Sequence, residues 1–309
     1  MNIASLINSL PGTVAQGLVW GIMAIGVYIT FRILDIADLT VDGTLCTGAA
    51  VSVILMMNGC NVYVSLLCAT VAGLLAGLVT GIFITMFGIP PILAGILTQL
   101  SLYSINLHIM AGSISGAKAN LPISVDKYNL LVSARNVRHM VVNNPIIILL
   151  IVVALLIGIL YWFFGTEMGS SLRATGANQA MSRANGINTN LTKVLGLMIS
   201  NGLVALSGAL LGQYQGFADI NMGRGAIVIG LAAVIIGEVI FSKVFRNFAL
   251  KLLSCVFGAI IYYIVIQVVL KLGLSTDDLK LLTALIVALF LGVPYWQASI
   301  KAKTVKKGE

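Results

Sequence analysis

The sequence predicts an all-α fold, a polytopic transmembrane helical bundle of about nine spans, eight to ten, over a single domain of residues 1–309. Three observations lead there. Apolar residues fill 59% of the 309 positions and charged residues 9%, far from the soluble mix of about half and a quarter. The apolar residues come in repeated runs near the ~20 needed to cross a hydrocarbon core as a helix. Between the runs lie polar islands such as "RATGANQAMSRANGINTN", Arg173 to Asn190, too polar to enter a bilayer.

The elements follow in order. Met1 to Gln16 carry no Lys or Arg, so the first run, Thr13 to Phe31, reads as a retained span and not as a cleaved signal. Arg32 closes it. Leu39 to Met57, Val62 to Phe87 and Ile89 to Ala111 follow. Within the last two, "GIPPILAG" (Gly88 to Gly95) is a candidate broken or re-entrant helix start, because Pro90 and Pro91 free backbone groups. A long connection, Gly112 to Asn144, carries Lys118, Lys127, Arg135 and Arg138 and is expected to pack on the bundle. Pro145 to Phe164 precedes the polar island, and Leu191 to Gln213, Ala226 to Phe241, Phe248 to Leu270 and Leu279 to Pro294 complete the set. Placing the basic tail (Lys301, Lys303, Lys306, Lys307) inside also places Arg32, Arg173, Arg183, Lys193, Lys243, Arg246 and Lys251 inside. The bias gives N-terminus out and C-terminus in. The formal charge of +8 therefore sets topology, and no nucleic-acid partner is expected.

Glycines recur every four residues at Gly73, Gly77 and Gly81, at Gly17 and Gly21, and at Gly208, Gly212 and Gly216. Such stripes let helix backbones approach closely and are read as packing within the chain. An internal echo is more informative. "ADLTVDG" (Ala37 to Gly43) with "GAAVSVI" from Gly48 matches "ADINMGRG" (Ala218 to Gly225) with "GLAAVII" from Gly230. On the topology above the two copies enter from opposite sides, as in the inverted repeats of transport folds. Asp38 and Asp219 are expected to cap helix N-termini.

No catalytic, cofactor-binding or metal constellation emerges. There is no phosphate-cradling Gly-rich loop and no paired histidines, and the spans hold almost no ionisable groups apart from Glu238, which is expected to pair with Lys243 or Arg246. The chain is not expected to be an enzyme. Amides are costly to leave toward lipid, so Asn106 and Asn201, with Thr98 and Ser104, are candidates for a translocation path. Each of the hydroxyls can also bond its own helix.

The stretch "GSSLRATGANQAMSRANGINTNLTKVLGLMISNGLVALSGALLG" (Gly169 to Gly212) resembles the cytoplasmic loop and following helix of bacterial ABC-importer permeases. "RILDIADLTVDG" (Arg32 to Gly43), "PPILAGILTQLSLYSINLHIMAG" (Pro90 to Gly112) and "GLAAVIIGEVIF" (Gly230 to Phe241) extend the likeness over nearly the whole chain. It is similar to the ribose and branched-chain amino-acid branch, and most to permeases whose binding-protein partners include aromatic-amino-acid binders. The resemblance implies that 166–190 is a cytoplasmic coupling loop, with Arg173, Gly176, Asn178, Ala180, Arg183 and Gly186 at the matching positions. It implies ATPase subunits as separate chains that bind the ATP, so no cofactor on this one, an extracytoplasmic substrate-binding protein, a homodimer of permeases, and a multi-pass place in the bacterial cytoplasmic membrane. It also implies import of a small solute, an amino acid foremost, with aromatic amino acids among the candidates. The alternative is an ion-coupled secondary carrier acting without an ATPase.

Overall fold

The computed structural model describes residues 3–112, 118–125, 127–138, 144–241, 244–245 and 247–272, with isolated positions between 281 and 292. Helix α1 (Ile3–Tyr28) runs on through a π-helical turn, Ile29–Ile33, and is followed by α2 (Val41–Met57), α3 (Val62–Thr85), α4 (Pro91–Ala111) and α5 (Pro145–Gly165). Two short helices, α6 (Glu167–Ala177) and α7 (Gln179–Ala184), make up the polar island, and α8 (Thr189–Gln215), α9 (Ala226–Phe241) and α10 (Phe248–Lys271) return to the bundle. Among the described residues six helices are long and apolar enough to cross a membrane, and α2 and α9 are shorter apolar helices. These eight coincide with the first eight expected spans. The ninth, Leu279 to Pro294, falls mostly outside the described residues.

Helix α8 is the axis. Its polar and glycine positions replace bulky side chains, so α1, α2 and α3 lie directly against it. A Cβ on Gly73 or Gly77 of α3 would strike the Asn201 or Leu197 carbonyl, and one on Gly208 would strike the carbonyl of Leu45. The stripe Gly17 and Gly21 meets Ile260 and Val256 of α10 in the same way. All three stripes pack within the chain, where close backbone approach gives dispersion contact that lipid cannot supply.

The register against α8 reveals an interrupted architecture. Helix α1 descends from Gly12, whose carbonyl accepts from the Tyr214 hydroxyl, past Gly26, whose carbonyl accepts from Ser200, to the end of the bundle that carries α6 and α7. The π turn follows, with Leu34 N–H bonded to the Ile29 carbonyl, and Asp35 takes a left-handed φ of 55°. Residues 34–40 then climb back without helical structure, and α2 begins only at the level of Asn201, near the middle of α8. Strand β2 (Phe217–Asp219) follows α8 at the opposite end, where it pairs antiparallel with β1 (Asn120–Pro122). Residues 220–225 re-enter from there, and α9 begins beside Asp42 of α2. Two half-spans thus point their N-termini at each other near mid-height and run in opposite directions, the arrangement the internal echo anticipates.

Two details differ from the sequence reading. The prolines at 90 and 91 do not break a helix: Pro90 precedes α4 and Pro91 is its first residue, where the missing N–H costs nothing. The interruption lies at 34–40 instead. The described residues of the long connection do pack on the bundle: β1 pairs with β2, Leu131 N–H donates to Gln213 Oε1, and the Tyr128 hydroxyl donates to the Met57 carbonyl.

Candidate functional site

The polar island is built as two capped helices on a rigid seat. Thr166 caps α6 at Gly169 N–H, Asn178 caps α7 at Met181 N–H, and Asn188 caps α8 at Asn190 and Leu191 N–H, each supplying an acceptor to amides that a helix start leaves bare. Gly176 presses on the π turn so closely that a Cβ would overlap the Ile33 carbonyl oxygen. Thr175 and Thr192 hydroxyls meet at 2.9 Å. Gly186 turns the chain with φ +80°, in the left-handed region that glycine enters without strain.

The two arginines work within the chain. Arg173 Nη2 donates to the Phe164 carbonyl at 2.8 Å and its guanidinium lies over the Phe248 ring. Arg183 Nε donates to Thr189 Oγ1 at 2.9 Å. They fasten α6 to α5 and α7 to α8, leaving Ala180, Met181 and Ala184 on the exposed side of α7. Helix α7 therefore offers a small-residue surface with one large apolar knob, Met181, on a base held by hydrogen bonds. Glu238, nearby on α9, pairs with Arg32 at 2.8 Å; Lys243 and Arg246, its expected partners, lie outside the described residues.

The in-span candidates fall into two groups and an outlier. Asn201, fully buried, donates to Asp38 Oδ2 at 2.7 Å and accepts from Thr44 at 2.7 Å. Asp38, 2% exposed, also accepts from Thr40 N–H. The Thr40, Thr80 and Thr98 hydroxyls continue this network to α4. Asp38, Asn201 and Thr98 thus form one polar knot that ties the unwound segment to α3, α4 and α8. Asn106, fully buried, belongs to the second group. Its Nδ2 donates to the Gly43 carbonyl at 3.3 Å, whereas its Oδ1 has no partner among the described residues. It borders a cavity of ≈ 220 Å³ with Asp42, Gln99, Tyr103, Ile220 and Arg224. Ser104 is the outlier, exposed on the far face of α4.

Asp42 is the residue the sequence reading missed. Its carboxylate accepts from Gly225 N–H at 2.9 Å and Ile227 N–H at 3.0 Å, so it, and not Asp219, caps α9. Asp219 instead closes its own turn through Asn221 N–H and accepts from Asn120. The internal echo is the signal that could have found the cap, since it aligns the two half-helix entries that Asp42 joins.

An apolar multi-helix bundle with two opposed half-spans and a capped polar loop at one end defines a multi-pass membrane permease. Residues 10–294 match the family described as branched-chain amino acid transport system / permease component, and the chain belongs to it, among the permeases of ABC importers. It is 38% identical over 299 residues to the tyrosine transport system permease protein of Clostridioides difficile, covering 97% of this chain and 96% of that one. It is 26% identical to the ribose import permease protein RbsC of Escherichia coli K12, over 75% of this chain and 69% of the relative. Among solved structures, PsaBC from Streptococcus pneumoniae in complex with Fab shares the fold, with a TM-score of 0.52 at 18% identity over 94% of each chain.

Proposed function

We propose that this chain is the permease of an ATP-driven importer for an amino acid, an aromatic one foremost, and that it works as a homodimer in the bacterial cytoplasmic membrane. The N-terminus faces out, an external binding protein delivers the solute, and separate ATPase subunits supply the energy. The observation that carries the mechanism is α7: capped by Asn178, tied down by Arg183 and bare on its outer side, it can be gripped by a partner and transmit displacement through α6 and α8 as rigid elements. The amino-acid substrate rests on the tyrosine-permease relative. Native mass spectrometry of the gently solubilised complex should show two copies of this chain with two of an ATPase.

The exposed position of Ala180 makes a sharper test. Ala180→Trp should lower ATP-driven uptake by at least about tenfold, because an indole on a close-packed docking face keeps the partner from seating, while melting temperature stays unchanged. Normal uptake by the variant would remove α7 from the coupling role. The enclosed Asp38 carboxylate favours the alternative, an ion-coupled carrier; uptake in ATP-free vesicles driven by a sodium or proton gradient would establish it and displace the importer reading.

A further inference from the structure

The cavity where α2 and α9 meet has an unusual charge arrangement. Asp42 stands on it and Arg224 borders it, yet the two make no ion pair with each other. Asp42 retains lone pairs after accepting its two amides, because a carboxylate has about four acceptor sites. Asn106 adds a fixed acceptor. Its amide cannot be turned over without setting Oδ1 against the Gly43 carbonyl it now donates to, so a buried carbonyl oxygen is left waiting for a donor. An unsatisfied buried acceptor is costly, and a ligand donor would recover that cost.

We infer that this cavity is a transit site in the permease for the headgroup of an α-amino acid, with Asn106 Oδ1 and Asp42 receiving the ammonium and Arg224 receiving the carboxylate. The inference rests on the importer reading and adds the place and the chemistry of recognition. A ligand carrying both charges satisfies both walls at once. A neutral sugar would leave the exposed Arg224 guanidinium and the half-buried Asp42 carboxylate without an ionic partner in the cavity. Tyr103 and Ile220 line the same cavity and give the side chain of the amino acid an aromatic and an apolar surface.

The test uses the complete transporter in membrane vesicles. Tyr103 is 42% exposed, so Tyr103→Cys can be labelled with a maleimide in a Cys60→Ser/Cys68→Ser background that removes the two exposed thiols. L-tyrosine should slow labelling several-fold, whereas tyramine, lacking the carboxylate, and 3-(4-hydroxyphenyl)propionate, lacking the ammonium, should not. Arg224→Gln should abolish the protection and cut L-tyrosine uptake about tenfold, with Arg224→Lys recovering part of both. Equal protection by all three compounds, or full protection and uptake in Arg224→Gln and Asn106→Leu, would overturn the site while leaving the importer intact. Wild-type vesicles that import ribose and no amino acid would overturn the importer reading's substrate, and the site with it.

Discussion

Asn201→Leu should be the most destabilising single substitution in the membrane bundle. It removes the donor to Asp38 Oδ2 and the acceptor for Thr44, leaving a carboxylate in an apolar interior with Thr40 as its remaining hydrogen-bond partner. Stripping a partner from a buried charge costs roughly 3–5 kcal/mol, here enough to lower the melting temperature in detergent by on the order of 10 °C. Asp38→Asn should also destabilise, since both carboxylate oxygens act as acceptors and an amide keeps only one. The pair can be separated from a general packing defect by the double variant Asp38→Leu/Asn201→Leu, which removes both halves of the interaction and should be more stable than Asn201→Leu alone. Additive losses in the double variant would show that the two residues do not act on each other.

Gly176→Val should sever the loop from the bundle and not unfold it. The added side chain would overlap the Ile33 carbonyl at the π turn, and relief requires α6 to leave its seat and give up the Arg173–Phe164 and Thr175–Thr192 hydrogen bonds. Helix α6 must lift. ATP-driven uptake should fall by more than about tenfold, as for other misplacements of about an ångström in a mechanical train. ATPase activity in the assembled complex should persist without responding to substrate. A variant that transports normally would mean that α6 moves independently of α1, and that the force enters by another route.

Much of this architecture was legible in the sequence, for reasons that particular residues make clear. Runs such as Val62 to Phe87 announce themselves because a membrane span needs length and low polarity and little else. The polar island was legible as a loop for the converse reason. Its division into α6 and α7 at Asn178 follows from a cap that only a local hydrogen bond reveals. The unwound segment 34–40 was not legible: "LDIADLT" contains neither Pro nor Gly, and it leaves the helix because Asp38 and Thr40 find tertiary partners on α8 and α3. The prolines at 90 and 91 gave the opposite impression, since proline at a helix start and proline in a helix interior look alike in a string of letters.

The candidate sites divide along the same line. Asn106 and Asn201 could be chosen because an amide is expensive to bury, and both are fully buried. Ser104 is exposed, since a serine can satisfy itself on its own helix and then face anywhere. Arg173 and Arg183 were placed in the coupling loop by resemblance alone, and their contacts within the chain, the Phe164 carbonyl and the Thr189 hydroxyl, are with groups that carry no mark in a sequence. Asp42 was overlooked because its role depends on a segment more than 180 positions away, at Gly225 and Ile227.

The head-to-head meeting of α2 and α9 has an electrical consequence. Each half-helix carries about half an elementary charge at its N-terminus and the opposite at its far end, and because the two run in opposite directions their moments along the bundle axis oppose each other. Moving the pair together therefore displaces almost no net charge from the helix dipoles along that axis. A voltage across the bundle would do little work on those dipoles, against the ~2.3 kcal/mol per charge at 100 mV available to a true voltage sensor, so any voltage dependence of this pair must come from its formal charges, Asp42 on α2 and Glu238 on α9.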